Sequence, residues 1–271
     1  MCENSKTSTM FVNEDLNWHP VPYSSVGEEF TELPLGVYTL TETPSGVVGF
    51  KPEDTPTPEK IYGHECGRLC DRVMLEHELS NSPVGVHIRG NSGTGKSTYV
   101  NQFILRCLEK GISSICIKNK IRISSILNTL RQLSTPHLIT VDDANLLFPS
   151  GDLLPSSDED LDYSEYSSQT DLRQMLDFKT NHIIVFTSSQ HGIVSGLRDV
   201  VNMRYSVEPS LKVPNIIEYC NDVLKGHPHR QALIDAFAHT RYLTFGDLKR
   251  YAREVSITSL TPYECSEILL D

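Results

Sequence analysis

The residues that most restrict the chemistry are Gly90, Asn91, Ser92, Gly93, Thr94, Gly95, Lys96 and Ser97. They meet the pattern Gly-x-x-x-x-Gly-Lys-Ser. Glycines there let the backbone curl so that several N–H groups converge on phosphate oxygens. A helix that starts near Lys96 adds the positive end of its dipole. Lys96 is then expected at the β- and γ-phosphates of a nucleoside triphosphate. The Ser97 hydroxyl is expected at the Mg²⁺ that accompanies those phosphates, and Thr98 is counted with the loop among the nucleotide-binding residues. The competing reading is a glycine-rich turn that matches by accident. A strand before the loop and a helix after it argue against that.

An acidic partner follows downstream. Leu138-Ile139-Thr140-Val141 is an apolar strand that runs into Asp142-Asp143. A carboxylate at the C-terminal end of a parallel strand lies at the ligand edge of the sheet. Asp142 is therefore the expected metal residue. Asp143 is the expected group that orients or deprotonates an attacking water. The alternative is a surface turn.

These residues need a frame, and the hydropathy pattern supplies one. Val84 to Ile88, Ser113 to Ile117, His137 to Val141 and His182 to Thr187 are short apolar runs. Helical periods cover 65 onward, Thr98 to Lys110 (with Gly111 as its C-terminal glycine), Ile123 to Leu133 and Asp171 to Phe178. Strands alternating with helices predict an α/β fold, a P-loop arrangement with a parallel five-stranded sheet flanked by helices. After Pro214 only helical segments remain, at 216–224, 230–239 and 245–255, which predicts a separate helical lid. Before it, Val37 to Leu40 and Val47 to Phe50 flank a Pro44-Ser45-Gly46 turn and read as a β-hairpin. Residues 1–35 read as an arm, and Lys51 to Lys60, with three prolines, as an extended linker. The expected domains are 1–60 (arm and hairpin), 61–212 (nucleotide-binding α/β domain) and 213–271 (helical lid).

Composition narrows the class. The chain has 271 residues and a net charge of −11, a balance that argues against broad, charge-driven coating of DNA. Its seven cysteines are odd in number and irregularly spaced, which reads as thiols in a reducing compartment, the cytoplasm for example. Cys66 and Cys70 lie near His64, but no second pair follows, so zinc is disfavoured. No apolar run approaches the roughly 20 residues of a membrane span, and residues 1–17 do not read as a secretory signal.

From about Ile61 to Val255 the sequence resembles the AAA (AAA+) ATPases, with a feel of small viral or mitochondrial-translocase-like members. Val141-Asp142-Asp143-Ala144-Asn145 is similar to the Walker B segment, with Asp143 where most members carry Glu. Leu172-Arg173-Gln174-Met175-Leu176-Asp177 is similar to the helix before the sensor strand. Ile183 to Ser189 resembles that strand and puts Ser189 at the sensor 1 position, where Asn is usual. Leu197 to Tyr205 resembles the segment that bears the arginine finger. The resemblance assigns that role to Arg204, with Arg198 as second choice. Thr244-Phe245-Gly246-Asp247-Leu248 is similar to the start of the lid helix, with Lys249 or Arg250 as sensor 2 cations. Tyr62 and Gly63 fall where the family packs adenine.

The resemblance implies ATP with Mg²⁺ as ligands and hydrolysis to ADP and phosphate. It also implies a homo-oligomeric ring, hexameric, that remodels or translocates a protein or a nucleic acid. Two departures stand out. The aromatic pore motif is replaced by basic Lys118-Asn119-Lys120-Ile121-Arg122, which keeps open a nucleic-acid-directed loader. An acidic insertion fills 150–168, read as a solvated loop. The shorter Asp143 and Ser189 keep open a slow, ATP-switched structural or adaptor protein. A small-molecule kinase is disfavoured by the helical tail. His227-Pro228-His229 reads as a polar turn rather than a metal pair.

Overall fold

The computed structural model of the chain describes residues 9–14, 17–22, 32–42, 48–62, 65–80, 82–118, 121, 123–144, 174–189, 202–239, 244–258 and 261–264. The strands are β1 (Thr9–Glu14), β2 (Asn17–Pro22), β3 (Val37–Glu42), β4 (Val48–Glu53), β5 (Val84–Arg89), β6 (Ser114–Ile117), β7 (Leu138–Val141), β8 (Ile183–Ser188) and β9 (Met203–Val207). The helices are α1 (Glu65–Leu79), α2 (Lys96–Glu109), α3 (Ile123–Leu130), α4 (Val213–Val223), α5 (Arg230–Ala238) and α6 (Phe245–Thr258).

All nine strands form one sheet in the order β1-β2-β4-β3-β6-β7-β8-β5-β9. From β3 to β9 every neighbouring pair is parallel. From β3 back to β1 the pairs are antiparallel. The expected parallel five-stranded sheet is therefore corrected to a larger mixed one. The four strands read from apolar runs are its β6, β7, β8 and β5, and β9, not read from the sequence, completes the parallel part beside β5. The hairpin β3–β4 adds to the β6 edge, because Val37 to Thr39 pair in register with Ser114 to Cys116. Lys51–Glu53, expected in a linker, instead completes β4 opposite β3.

The central strands are buried on both faces, as parallel strands covered by helices must be. Alternation divides their side chains between two cores. Ile115, Ile117, Ile139, Val141, Ile184 and Phe186 face α3 through Ile126, Leu127 and Leu130. Val84, Val86, Ile88, Leu138, Ile183 and Val185 face α1 and α2 through Cys66, Cys70, Val73, Phe103 and Cys107. The thiols of this second core are apolar filler, and burial pushes the Cys107 thiol up to about 12. Helix α2 stops at Gly111 (φ 74), where Gly111 N–H donates to Leu108 O and Ile112 N–H to Cys107 O. A third core, built on Ile216, Tyr219, Leu233, Phe237, Leu248 and Tyr251, joins α4, α5 and α6.

Buried histidines lie at the N-terminal ends of the parallel strands. His182 is 1% exposed, and its Nδ1 accepts the His137 amide at 3.1 Å. Burial, and then the nearby His137 and His77, lower its pKa from 6.5 to about 3. A histidine held neutral in the fold but free to protonate when unfolded favours unfolding below pH 6.5. Its contribution to stability is thus present above pH 6.5 and is lost as the pH falls toward 3. Near pH 5 the loss is about 2 kcal/mol. Urea unfolding at neutral pH and near pH 5 should show it. His182→Asn keeps an acceptor for the His137 amide and should flatten the dependence. An unchanged slope in that variant would remove His182 as its source.

Candidate active site

Strand β5 lies inside the sheet between β8 and β9, while the next strand in sequence, β6, lies beyond β8 and β7. Such a change of direction opens a crevice at the C-terminal strand ends. The glycine loop leaves β5 at that crevice. Its first amide, Gly90 N–H, donates to Ser188 O at 3.0 Å, which pins the loop to the end of β8. A side chain at Gly90 would place Cβ 2.6 Å from Thr94 Oγ1. Thr94 closes the turn by donating from Oγ1 to Asn91 O at 2.9 Å. Lys96 folds back across the loop, its Nζ 2.8 Å from Gly90 O and 3.2 Å from Asn91 O. Gly95 starts α2 in a left-handed conformation, and no side chain caps the helix. The first-turn amides are thus left to an incoming anion.

Ser92, Gly93, Gly95, Lys96, Ser97 and Thr98 form one wall of a cleft of about 320 Å³. Asp142 and Asp143 form the facing wall, and Phe245, Gly246 and Lys249 of α6 roof it. Asp142 follows β7 directly. Asp143 has φ 44, in the left-handed region that Asp tolerates better than most residues. The Thr187 hydroxyl of β8 donates to Asp142 Oδ1 at 2.6 Å and accepts the Asp143 amide at 2.8 Å.

Helix α6 meets the loop main chain to main chain. Gly246 N–H donates to Gly93 O at 2.9 Å. Gly93 has φ 79, and a Cβ there would come within 2.8 Å of Thr244 Oγ1. Thr244 and Asp247 cap α6 reciprocally: Thr244 N–H donates to Asp247 Oδ2 at 2.8 Å and Asp247 N–H to Thr244 Oγ1 at 3.2 Å. Beside the cleft a narrower cavity of about 70 Å³ shares Gly95, Thr98, Phe245 and Lys249 with it, and Ile61, Tyr62, Tyr99 and Leu211 complete its walls. Tyr62 packs edge-on against Tyr219, with centroids 4.9 Å apart, and its hydroxyl donates to Asp222 at 2.8 Å. Burial first, and then Asp222, raises the Tyr62 phenol to about 12.

Most of the expected site residues meet at this one edge. Gly90 and Asn91 form the base of the loop, and Ser92 through Thr98, apart from Thr94, line the wider cleft. Thr94 and Tyr62 line the adjoining cavity. Of the two cations expected on this helix, Lys249 lines both cavities, whereas Arg250 lines neither. Ser189 directly follows β8, half-buried, at the same edge of the sheet, but the β8 hydroxyl that reaches the acidic pair is that of Thr187. Arg204 lies elsewhere. It is on β9, one residue past the Gly85–Met203 pair, so the length of β5 separates it from the loop, about 16 Å. Its guanidinium pairs with Glu76 of α1 at 3.4 Å, and Glu76 also accepts the Tyr205 hydroxyl.

Gly63, His64, Arg198 and the insertion 150–168 lie outside the described residues. So do Asn119, Lys120 and Arg122 of the basic stretch, whose Lys118 pairs with Glu53 at 3.2 Å. His227 and His229 form a turn, in which His229 N–H donates to His227 Nδ1 at 3.3 Å. Among the described residues no group of three or more His, Cys, Asp or Glu is placed to hold a metal by itself. A Mg²⁺ at Ser97 and Asp142 needs no such group, since it shares its shell with phosphate oxygens and water. The hydroxyl and carboxylates that face each other across the cleft suit it.

Comparison with known proteins gives the frame a wider setting. No protein-family model and no curated protein sequence matches the chain. Solved structures do. A chain in the HORMA:CdnC:Trip13 complex of E. coli MS115-1 superposes with a TM-score of 0.55 at 11% identity, over 74% of this chain and 87% of that one. AMPPCP-bound DnaA from Aquifex aeolicus matches at 16% identity with a TM-score of 0.49, over 77% of this chain and 67% of that one. At 11% identity the first of these shows a shared fold. Within that fold β1, β2 and the β3–β4 hairpin extend the β6 edge, and the glycine loop lies at the far side of β8 from the acidic pair. Among the described residues no helix is long and apolar enough to cross a membrane.

Proposed function

We propose that this chain binds Mg-ATP between its glycine loop and lid and hydrolyses it, working as a ring of copies that remodels or translocates a macromolecule. The observation that carries the proposal is the single cleft in which Lys96, Ser97, Asp142, Asp143 and Lys249 converge on the loop. Lys96 sets its charge against the β- and γ-phosphates while the loop amides and the start of α2 take the remaining oxygens. Ser97 and Asp142 would hold the Mg²⁺, which when bound would offset the charge that develops on the phosphates. Asp143 orients the attacking water and accepts its proton. The base enters the narrower cavity between Ile61-Tyr62 and Phe245.

Assembly rests on Arg204. Its place about a strand's length from its own loop argues against action in the same chain and suits action on a neighbour's nucleotide. To act there it must exchange Glu76 for the neighbour's phosphate. The test is ATPase rate per chain against protein concentration, for the wild type and for Arg204→Ala. The wild-type rate should rise with concentration, and the variant should stay flat and about a thousandfold lower at saturation. A rate independent of concentration and unaffected by the substitution would remove the ring mechanism.

A further inference from the structure

We propose that Thr187 is the positioning residue that couples the two carboxylates of the site, fixing Asp142 toward the metal and Asp143 toward the water with one hydroxyl. The proposal rests on the roles given above to Asp142 and Asp143.

Thr187 lies on β8, the strand between the one that carries the glycine loop and the one that carries the acidic pair. It is in register with Ile88 of β5, and the preceding Phe186 is in register with Val141 of β7. That puts Thr187 level with Asp142 just where β7 ends. It is fully buried, with 0% of its surface exposed, so its hydroxyl has no bulk water to turn to. A hydroxyl has one proton to give. The Asp143 amide can only donate, so the hydroxyl accepts there at 2.8 Å and must spend its own proton on Asp142 Oδ1, 2.6 Å away. The direction of both bonds is thereby settled.

Two consequences follow from one group. The bond to Oδ1 stops the Asp142 carboxylate from rotating and leaves Oδ2 for the metal shell. The bond from the amide holds Asp143 at φ 44, a conformation that an L-residue keeps only when its surroundings enforce it. The chain amide to hydroxyl to carboxylate also polarises along its length, so the state of Asp142 is felt at Asp143.

Thr187→Val preserves shape and removes the hydroxyl, whereas Thr187→Ser keeps the hydroxyl and removes the methyl. Both are compared with Asp142→Asn. The first readout is binding of a non-hydrolysable ATP analogue with and without Mg²⁺, which requires no turnover. The second is kcat and the third is thermal unfolding. With Thr187→Val, Mg²⁺-free binding should persist, while the Mg²⁺ concentration for half-maximal enhancement rises and kcat falls, each by about 10- to 100-fold. Thr187→Ser should restore most of both.

If Thr187→Val changes only the unfolding temperature, or if Thr187→Ser fails as badly as Thr187→Val, the residue merely packs and the proposal falls. If Asp142→Asn itself leaves the Mg²⁺ response intact, the assignment of the metal to Asp142 falls and takes this proposal with it. An Asp142→Asn that loses the response beside a Thr187→Val that retains it overturns the Thr187 role alone.

Discussion

Lys96→Ala is expected to abolish ATP binding while leaving the fold intact. The ammonium now bridges Gly90 O and Asn91 O, and it would share itself between them and the phosphates once nucleotide enters. Truncation removes the cation nearest the β- and γ-phosphates and one brace of the loop. Charge-assisted hydrogen bonds contribute about 1.5–3 kcal/mol each, so losing two weakens affinity by about 100-fold or more. Lys96 is only half-buried and belongs to no core, so the unfolding temperature should stay near that of the wild type. Calorimetric titration with Mg-ATP, alongside a melting curve, checks both halves. Wild-type affinity in the variant would mean that the loop is not the nucleotide site.

Asp143→Asn separates binding from chemistry. The Asp143 side chain lines the cleft, but its structural bond to Thr187 is made by its amide, which the substitution keeps. Asn also tolerates the left-handed conformation at φ 44, so the backbone should not move. Asp143→Ala would be a poorer choice, because alanine there adds a backbone penalty of about 1 kcal/mol to the loss of the carboxylate. The amide of Asn cannot take a proton from water. Turnover should fall by about 100- to 10,000-fold while nucleotide affinity stays within a few-fold of wild type. Steady-state phosphate release beside equilibrium binding measures the split. Undiminished turnover would remove Asp143 from its role as base.

Much of this site is legible in the sequence because it is local. Gly90 to Ser97 is a contiguous pattern, and its strand and helix can be read from apolar runs on either side. Asp142-Asp143 is legible because it ends a strand that is apolar but for Thr140. Thr187 is not legible in the same way. It is one polar residue after Ile183-Ile184-Val185-Phe186, and only the register of β8 between β5 and β7 brings its hydroxyl to the acidic pair. The contact between Gly246 and Gly93 likewise joins residues far apart in sequence, and nothing in either glycine announces the other.

The sheet is larger than the expected five strands for a physical reason. Hairpin alternation at Val37 to Phe50 says that one face is buried but not against what. The edge of β6 offered the unpaired main-chain groups that β3 takes up. Strand β9 is an edge strand whose exposure alternates between half-buried and open, with Arg204 and Ser206 outward, so it lacks the apolar run that marks its neighbours in the sequence.

The central claim, hydrolysis of ATP at this cleft, is tested most directly by a single turnover. Wild-type protein in excess over radiolabelled Mg-ATP is quenched over a time course, with Asp143→Asn run beside it. The cleft's acidic pair predicts phosphate formation that goes to completion in the wild type and is nearly absent in the variant, with nucleotide bound in both. Wild-type protein that holds the ATP indefinitely without cleaving it would contradict the account. It would make the chain an ATP-switched structural protein rather than a motor.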